Sequence, residues 1–191
     1  MLSIPEHLAR FLQPLDVLLY RGRWLSPVEA GIMVFSWSSY SHAALAFSWH
    51  GEWFVSDVGG KRGGDVRPIA SDILAGRKID VWRAPNRVGR AGRESRRFAV
   101  SAWQARGTVD YGYGKCLANA VGHTLARFSP RTDPLRIPER VFCSEWVDAN
   151  LRKHLDFDAL PLRPGRFTTP GRLGNPKRSR LERVHRVLTI E

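Results

Sequence analysis

Two strand-like segments joined by a very short connection are the clearest structural signal in this sequence. Residues 42–48 (HAALAFS) and 53–58 (WFVSDV) are separated only by Trp49-His50-Gly51-Glu52. So few residues can join two strands only as an antiparallel hairpin, and Gly51 supplies the positive φ angle that a tight turn requires. We therefore predict a hairpin centred on His50-Gly51, within a sheet that is mostly antiparallel.

The register of this hairpin brings a histidine and a carboxylate together. If the turn is centred on His50-Gly51, paired residues have numbers that sum to 101, and His42 and Asp57 become diagonal neighbours on one face. A carboxylate there can orient an imidazole and stabilise its protonated form. A slip of one residue would present Ser56 instead. The structural alternatives are a histidine that only donates a hydrogen bond and an aspartate that is solvated or paired with a nearby basic residue.

A cysteine at the start of a predicted helix is the second candidate. Residues 143–155 (CSEWVDANLRKHL) place their apolar side chains along one helical stripe, and Cys143 comes first. A thiol there meets unpaired backbone N–H groups and the positive end of the helix dipole, which stabilise a thiolate and can hold an oxyanion. Ser144 follows it and is assigned to the same pocket. A small buried residue at a helix end is the structural alternative.

Further predicted elements complete an α+β pattern. Strands are expected at 16–20, 79–83 and 183–190, and helices at 4–13, 26–35, 91–106 and 115–127. Ser26 can cap the second of these helices, with Pro27 in its first position and Glu29 completing a capping box. We find no repeat and no long low-complexity linker. The expected architecture is one domain over 1–191, in which a small antiparallel sheet or half-barrel packs against the helix that carries Cys143.

Length and composition fit one ordinary core: the chain has 191 residues, of which 43% are hydrophobic. No run approaches the roughly 18 apolar residues of a membrane span. The N-terminus, MLSIPEHLARFLQPLD, has Pro, Glu, His and Arg where a signal peptide needs an apolar stretch, so a cytoplasmic or phage-borne protein is expected. Two cysteines, Cys116 and Cys143, are too few for a disulfide framework; free thiols are favoured over a single bridge.

Positive charge is the strongest bulk feature. The formal net charge is +12, and only five of the 30 basic residues are lysine. Such a charge favours anionic partners, namely nucleic acid, anionic lipid or an acidic wall polymer. However, the basic residues are scattered and no nucleic-acid motif accompanies them, so no specific nucleic-acid partner is predicted. The tail 177–186 (KRSRLERVHR) is interpreted as a packed element with a basic outer face.

Several short motifs, taken in order, resemble a known superfamily. They are LDVLLYRG (15–22), SYSHAALAF (39–47), FVSDVGG (54–60), DYGYG (110–114), VFCSEWV (141–147) and the later TPGRL (169–173). Their order resembles the permuted branch of the NlpC-type papain-like cysteine hydrolases, to which the YiiX-like hydrolases and the relatives of lecithin:retinol acyltransferase belong. In papain order the nucleophile precedes the histidine. Here His42 precedes Cys143 by 101 residues, as a circular permutation requires.

The resemblance implies a circularly permuted papain-like fold with Cys143 as nucleophile, His42 as base and Asp57 as the third member of a catalytic triad. It also implies that Tyr40, beside the histidine, contributes to the oxyanion pocket. Two positions depart from the family pattern. Leu15 stands where the family usually has Gly, and Asp57 stands where many relatives have Glu or His. The identity of the residue that orients His42 therefore stays open.

The implied chemistry is attack on a carbonyl, an acyl-enzyme, and release of the acid by water, with no cofactor. Tyr111 and Tyr113 are expected at the pocket rim, because Gly112 and Gly114 indicate a turn. Relatives act on peptidoglycan-peptide, isopeptide or lipid-linked amides, or on acyl esters. We therefore expect a peptide-amide or acyl substrate, with cell-wall material among the candidates.

Two other functions are weighed against hydrolysis. A non-catalytic binding module of the same fold would use its basic surface for an anionic partner. A zinc site formed by His42, Asp57 and Cys143 would have no close ligand pair and no fourth ligand, so no metal is predicted.

Overall fold

A single antiparallel sheet with helices packed against it forms the framework of this computed structural model, which describes residues 9–59, 63–85, 91–109, 142–160 and 168–188. The strands are β1 (Val17–Arg21), β2 (Tyr40–Trp49), β3 (Glu52–Gly59), β4 (Gly63–Pro68), β5 (Ile79–Arg83) and β6 (Glu182–Leu188). The helices are α1 (Pro27–Ser36), α2 (Ile69–Leu74), α3 (Ala91–Ala105), α4 (Cys143–Leu155) and α5 (Pro170–Leu173). The described part of the chain is therefore α+β, with six strands in an open sheet.

The strands are ordered β4-β3-β2-β1-β5-β6, and all neighbours run antiparallel. β2 and β3 form the predicted hairpin. His50 and Gly51 both have positive φ, 51° and 81°, as a two-residue hairpin turn requires. Leu45 pairs with Ser56 and the pairs that follow keep the same sum of 101, so the predicted register is confirmed.

Two apolar clusters lie on opposite faces of the sheet, as the alternation of side chains along a strand requires. On β1, Val17 and Leu19 belong to one cluster, whereas Leu18 and Tyr20 belong to the other. Helices α3 and α4 contribute to the first cluster and α2 to the second. Because β1 is buried on both faces, it lies at the centre of the structure.

Strand β4 and helix α2 are missing from the sequence-based prediction. β4 begins with Gly63-Gly64 and ends at Pro68, which are residues typical of turns. The glycine at 64 is needed for packing, because a Cβ there would clash with the carbonyl oxygen of Ala105 at the end of α3. α2 follows directly and buries Ile69 and Ile73. These two elements bring additional charged residues to the hairpin.

Helix α1 begins where the sequence predicted, but its capping box is only half formed. The hydroxyl of Ser26 accepts the N–H of Glu29 at 3.4 Å. The carboxylate of Glu29 does not accept the backbone N–H of Ser26, which donates to the carbonyl of Arg23 instead. It accepts the backbone N–H of Arg23 and the guanidinium of Arg77, each at 2.8 Å. Glu29 therefore ties α1 to the segment that leads into β5.

Other predicted elements agree closely with the structure. Strand 79–83 and helix 143–155 have the bounds of β5 and α4, and the final strand 183–190 corresponds to β6. The predicted helix 115–127, together with Tyr111, Tyr113 and Cys116, lies outside the described residues, as does the first half of the predicted helix 4–13. Within the described ranges, no helix combines the length and apolar character needed to cross a bilayer.

Candidate active site

His42 on β2 and Asp57 on β3 meet in the diagonal relation that the hairpin register predicted. Nε2 of His42 lies 2.7 Å from Oδ2 of Asp57. The Asp57 side chain is 5% exposed and the His42 side chain is 20% exposed. Gly59 lies against the imidazole, since a Cβ there would come 3.0 Å from Cε1 of His42. The imidazole is therefore held in one orientation, with Nε2 directed at the carboxylate.

Arg67 on β4 binds Asp57 from the other side. Its Nη1 and Nη2 donate to Oδ1 and Oδ2 of Asp57 at 3.1 and 2.9 Å. The same guanidinium donates to both carboxylate oxygens of Asp72, at 2.9 and 3.0 Å, and to Asp65 at 3.2 Å. One arginine therefore binds three carboxylates, and it fixes the rotamer of the one that contacts the histidine.

Tyr20 on β1 closes this network around the histidine. Its hydroxyl donates to Oδ2 of Asp72 at 2.6 Å, and its ring packs against that of His42 with the centroids 5.5 Å apart. Burial and the neighbouring charge of Asp72 raise the pKa of Tyr20 well above its usual value, so the hydroxyl remains a donor. The contacts therefore run from His42 through Asp57, Arg67 and Asp72 to Tyr20 and back to the imidazole.

The electrostatics of this network keep Asp57 ionised. Burial acts to raise the pKa of the Asp57 carboxyl, but the charges and hydrogen bonds of His42 and Arg67 outweigh it and hold that pKa well below its usual range. Burial acts to lower the pKa of Arg67, and the charge of Asp57 with the bond to Asp72 raises it instead. Asp57 therefore remains a carboxylate that can stabilise an imidazolium.

Cys143 is the first residue of α4, as predicted, and is buried at 4% exposure. The N–H of Trp146 donates to the carbonyl of Phe142 at 2.8 Å, which is the first bond of the helix. The N–H groups of Cys143 and Ser144 precede that bond and so have no acceptor within the helix. The N–H of Phe142 donates to Oε2 of Glu145 at 3.3 Å. The helix start thus offers two N–H donors beside the thiol.

Ser144 has a structural role that the sequence did not reveal. Its hydroxyl donates to the carbonyl oxygen of Thr168 at 2.8 Å, and both residues are buried. Thr168 precedes Thr169, which caps α5 by accepting the N–H of Arg172 at 3.2 Å. Because its hydroxyl holds the segment before α5, what Ser144 offers to a pocket is its backbone N–H.

The Cys143 side chain lies close enough to His42 for its charge and its hydrogen-bonding capacity to act on the pKa of the imidazole. Nε2 of His42 is bound to Asp57, so Nδ1 is the ring nitrogen that this carboxylate does not engage. Burial acts to lower the pKa of His42, but the charges of Cys143 and Asp57 and their hydrogen bonds outweigh it and raise that pKa to about 10. This arrangement favours a protonated imidazole beside the Asp57 carboxylate.

The hydroxyl of Tyr40 binds Asp80. A β-bulge between β1 and β2 lets Tyr40 pair with Arg21 while His42 pairs with Tyr20. Tyr40 joins the cluster beneath α4, and its hydroxyl donates to Oδ2 of Asp80 at 2.5 Å. Burial and Asp80 together raise the pKa of Tyr40 to about 12. Since the hydroxyl donates its hydrogen bond to Asp80, the pocket contribution predicted for Tyr40 is left to its ring or backbone.

We expect Tyr40→Phe to lower the free energy of unfolding by about 1–2 kcal/mol, because the buried Asp80 carboxylate loses a hydrogen bond. Arg21 continues to donate to both oxygens of Asp80, at 3.1 to 3.3 Å, which limits the loss. Urea unfolding of the two proteins measures the difference. Unchanged stability combined with slower modification of Cys143 would contradict this interpretation and place the Tyr40 hydroxyl at the pocket.

Comparison with known protein families gives no match, and comparison with characterised proteins gives none either. Among solved structures, the chain is similar to the crystal structure of YiiX from Escherichia coli O157:H7, described as a metalloprotein. The sequence identity is 16%, the TM-score is 0.57, and the alignment covers 91% of this chain and 97% of YiiX. The two chains share a fold.

The candidate site does not fit a metal ion. Across the residues that the structure describes, no group of three or more His, Cys, Asp or Glu side chains is arranged to hold one. At the site itself, both oxygens of Asp57 already receive the guanidinium of Arg67. A cation bound there would lie beside that positive charge, so the donor set is unfavourable for a metal.

The backbone conformation at position 15 suits glycine, the residue that the resembled family usually has where this chain has Leu15. Leu15 has a φ of 66°, in the left-handed region that glycine adopts without steric cost. Its side chain is nevertheless buried in the cluster beneath α4, next to Val17 of β1. The leucine therefore combines an unfavourable backbone conformation with a favourable burial.

Proposed function

We propose that this protein is a cysteine hydrolase in which Cys143 forms an acyl-enzyme, His42 transfers protons and Asp57 orients His42. One observation carries the proposal: the imidazole of His42 lies 2.7 Å from a buried carboxylate, and Cys143, at the start of a helix, is close enough to act on its pKa. Nucleophile, base and orienting group in contact are the arrangement that covalent catalysis requires.

In the first half of the reaction, the sulfur of Cys143 attacks the carbonyl carbon of the substrate. The negative charge that develops on the carbonyl oxygen is held by the N–H groups of Cys143 and Ser144, which have no acceptor in α4. The imidazolium of His42 gives its proton to the leaving amine or alcohol as the carbon–nitrogen or carbon–oxygen bond breaks. An S-acyl enzyme remains, with His42 neutral.

In the second half, neutral His42 accepts a proton from water as the water oxygen attacks the thioester carbon. The carbon–sulfur bond then breaks, which releases the carboxylic acid and restores the thiolate beside the imidazolium. Asp57 stays ionised throughout and compensates the charge of His42 whenever the ring is protonated. The reaction balances with water as the only co-reactant.

The wider relationship is part of the same proposal. A fold shared with YiiX, together with a histidine that precedes the cysteine in the chain, supports a permuted papain-like hydrolase. The substrate class that this implies is an amide, either peptidoglycan-peptide, isopeptide or lipid-linked, or an acyl ester.

Alkylation of Cys143 by iodoacetamide between pH 5 and 9 tests the proposal. A free cysteine is about 1% thiolate or less at pH 6. We therefore expect Cys143 in the wild type to react at pH 6 at least about ten times faster than in His42→Ala. Mass spectrometry assigns the modified residue, because the chain also contains Cys116.

His154→Ala is the matched control, since His154 is a buried histidine at the far end of α4 from Cys143. Its alkylation profile should follow the wild type. If Cys143 reacts equally in the wild type and in His42→Ala, or is inert in both, the hydrolase proposal fails. A binding module of the same fold would then be the better interpretation.

A further inference from the structure

Exposed apolar side chains are concentrated in helix α1 and in the residues on either side of it. Nine large hydrophobic side chains are exposed among the described residues, and five of these lie between positions 24 and 37. They are Trp24 (71% exposed), Leu25 (99%), Val28 (60%), Val34 (55%) and Trp37 (81%). Such concentration in one short segment is unusual for a protein surface, where isolated exposed hydrophobic residues are the norm.

The geometry of the helix places Val28 and Val34 on its outer side. Successive residues of an α-helix are rotated by about 100°, so that Val28, Gly31 and Val34 share a side while Met33 points the opposite way. Met33 is buried, and a Cβ added at Gly31 would meet nothing within 4 Å. The outer side of α1 is therefore open along its length. We call Trp24, Leu25, Val28, Gly31, Val34 and Trp37 the α1 apolar surface.

No charged side chain interrupts this surface within α1. Glu29 is the one charged residue of the helix, and its carboxylate is turned to Arg23 and Arg77. The Arg23 side chain, 60% exposed, lies next in the chain to Trp24. Arg23 and Arg77 carry two positive charges against the one negative charge of Glu29, so the net charge of this group is positive, like that of the whole chain, +12.

We propose that the α1 apolar surface docks this protein onto an anionic lipid bilayer. Tryptophan favours the interface between water and lipid, and Trp24 and Trp37 flank the helix at its two ends. Leu25 is almost fully exposed, so it projects outward and suits insertion among acyl chains. The net charge of +12 has the sign that anionic headgroups attract. This docking does not depend on the proposed hydrolysis.

Gly31 allows a sharp test, because a Cβ can be added there without displacing any atom. Gly31→Glu places a negative charge in the middle of the surface, whereas the matched variant Gly31→Ala adds only a methyl group. Both changes replace a poor helix former, so neither should unfold α1. Co-sedimentation with vesicles of phosphatidylglycerol and phosphatidylcholine measures binding, and thermal unfolding verifies that the variants are folded.

We expect the wild type and Gly31→Ala to bind these vesicles alike, and Gly31→Glu to bind at least about tenfold more weakly. Leu25→Asp should weaken binding similarly. Leu74→Asp, at an exposed leucine outside the surface, should have little effect. The proposal is overturned if the wild type does not bind anionic vesicles, or if Gly31→Glu binds as well as Gly31→Ala. It is also overturned if the wild type is a dimer without lipid that Gly31→Glu dissociates, since the surface would then bind a second copy.

Discussion

Replacing Arg67 by methionine is expected to lower the free energy of unfolding by about 3–5 kcal/mol, the usual cost of removing one partner from a buried ion pair. Arg67 binds Asp57, Asp65 and Asp72 through five hydrogen bonds of 2.9 to 3.2 Å. Methionine is similar in length but carries no charge, so the variant would leave these carboxylates close together and largely uncompensated. Denaturant unfolding at pH 7 measures the loss.

Arg67→Lys and Arg97→Met serve as controls for this prediction. Lysine keeps the positive charge but cannot form two bidentate pairs, so we expect a smaller loss than for methionine. Arg97 pairs with Glu94 at 3.3 Å on the exposed surface, and Arg97→Met should change stability by less than about 1 kcal/mol. If Arg67→Met were as stable as Arg97→Met, the network would not contribute to folding.

The stability loss caused by Arg67→Met should also depend on pH in a defined direction. In the wild type the pKa of Asp57 is lowered, so its contribution to stability is present above the unfolded-state pKa of about 4 and is lost as the pH falls. Without Arg67 that contribution is smaller. The difference between wild type and variant should therefore be largest near neutral pH and should shrink below about pH 4.

Asp57→Asn is expected to slow acylation of Cys143 by roughly 100-fold at pH 6, within the range of effects seen when acid–base catalysis is impaired. The carboxamide can still accept a hydrogen bond from His42, but it cannot compensate the charge of the imidazolium. The imidazolium of His42 is therefore less stable in the variant, and it stabilises a thiolate at Cys143 less well. Acylation by p-nitrophenyl acetate, followed by release of p-nitrophenol, measures the rate without knowledge of the natural substrate.

The pH profile distinguishes this role of Asp57 from a merely structural one. The pKa of His42 is raised to about 10, so its contribution to stability is complete below about pH 6.5 and is lost as the pH rises through about 10. Asp57→Asn removes one cause of that rise. In the variant, the loss of stability at alkaline pH should therefore begin at a lower pH than in the wild type.

Asp65→Asn is the matched control for Asp57→Asn. Asp65 also belongs to the Arg67 network, where its carboxylate accepts one bond of 3.2 Å from Arg67. The carboxylate that contacts His42 is that of Asp57. We expect Asp65→Asn to leave both the acylation rate and the pH at which stability is lost on the alkaline side close to those of the wild type. If the two variants behaved alike, Asp57 would act through the stability of the network rather than through the imidazole.

Local sequence patterns were sufficient to predict the elements that carry the candidate site. The hairpin register followed from a two-residue turn, because a short connection leaves few ways to pair two strands. That register alone places His42 beside Asp57. Likewise, the helical stripe from Cys143 onward predicted the bounds of α4. Both inferences concern residues close in the chain, where backbone geometry alone restricts the outcome.

The surroundings of the site depended on tertiary structure. Strand β4 was not predicted because it contains Gly63-Gly64 and Pro68, which are typical of turns. The structure accommodates them because α3 packs against the backbone of Gly64 and because β4 lies at the sheet edge. The partners of Arg67 therefore could not be predicted. The partner of the Tyr40 hydroxyl, Asp80, likewise lies 40 residues away, beyond the reach of any local pattern.

What the sequence by itself determined was the type and position of the chemical groups, and the register of the strand pair that holds two of them. Only the tertiary structure decided what each group contacts: Arg67 behind Asp57, Tyr20 with Asp72 across 52 residues, and Ser144 with the segment before α5. The physical reason is that local periodicity reflects backbone geometry. Contacts between distant segments depend instead on how whole elements pack, and no short motif specifies that packing.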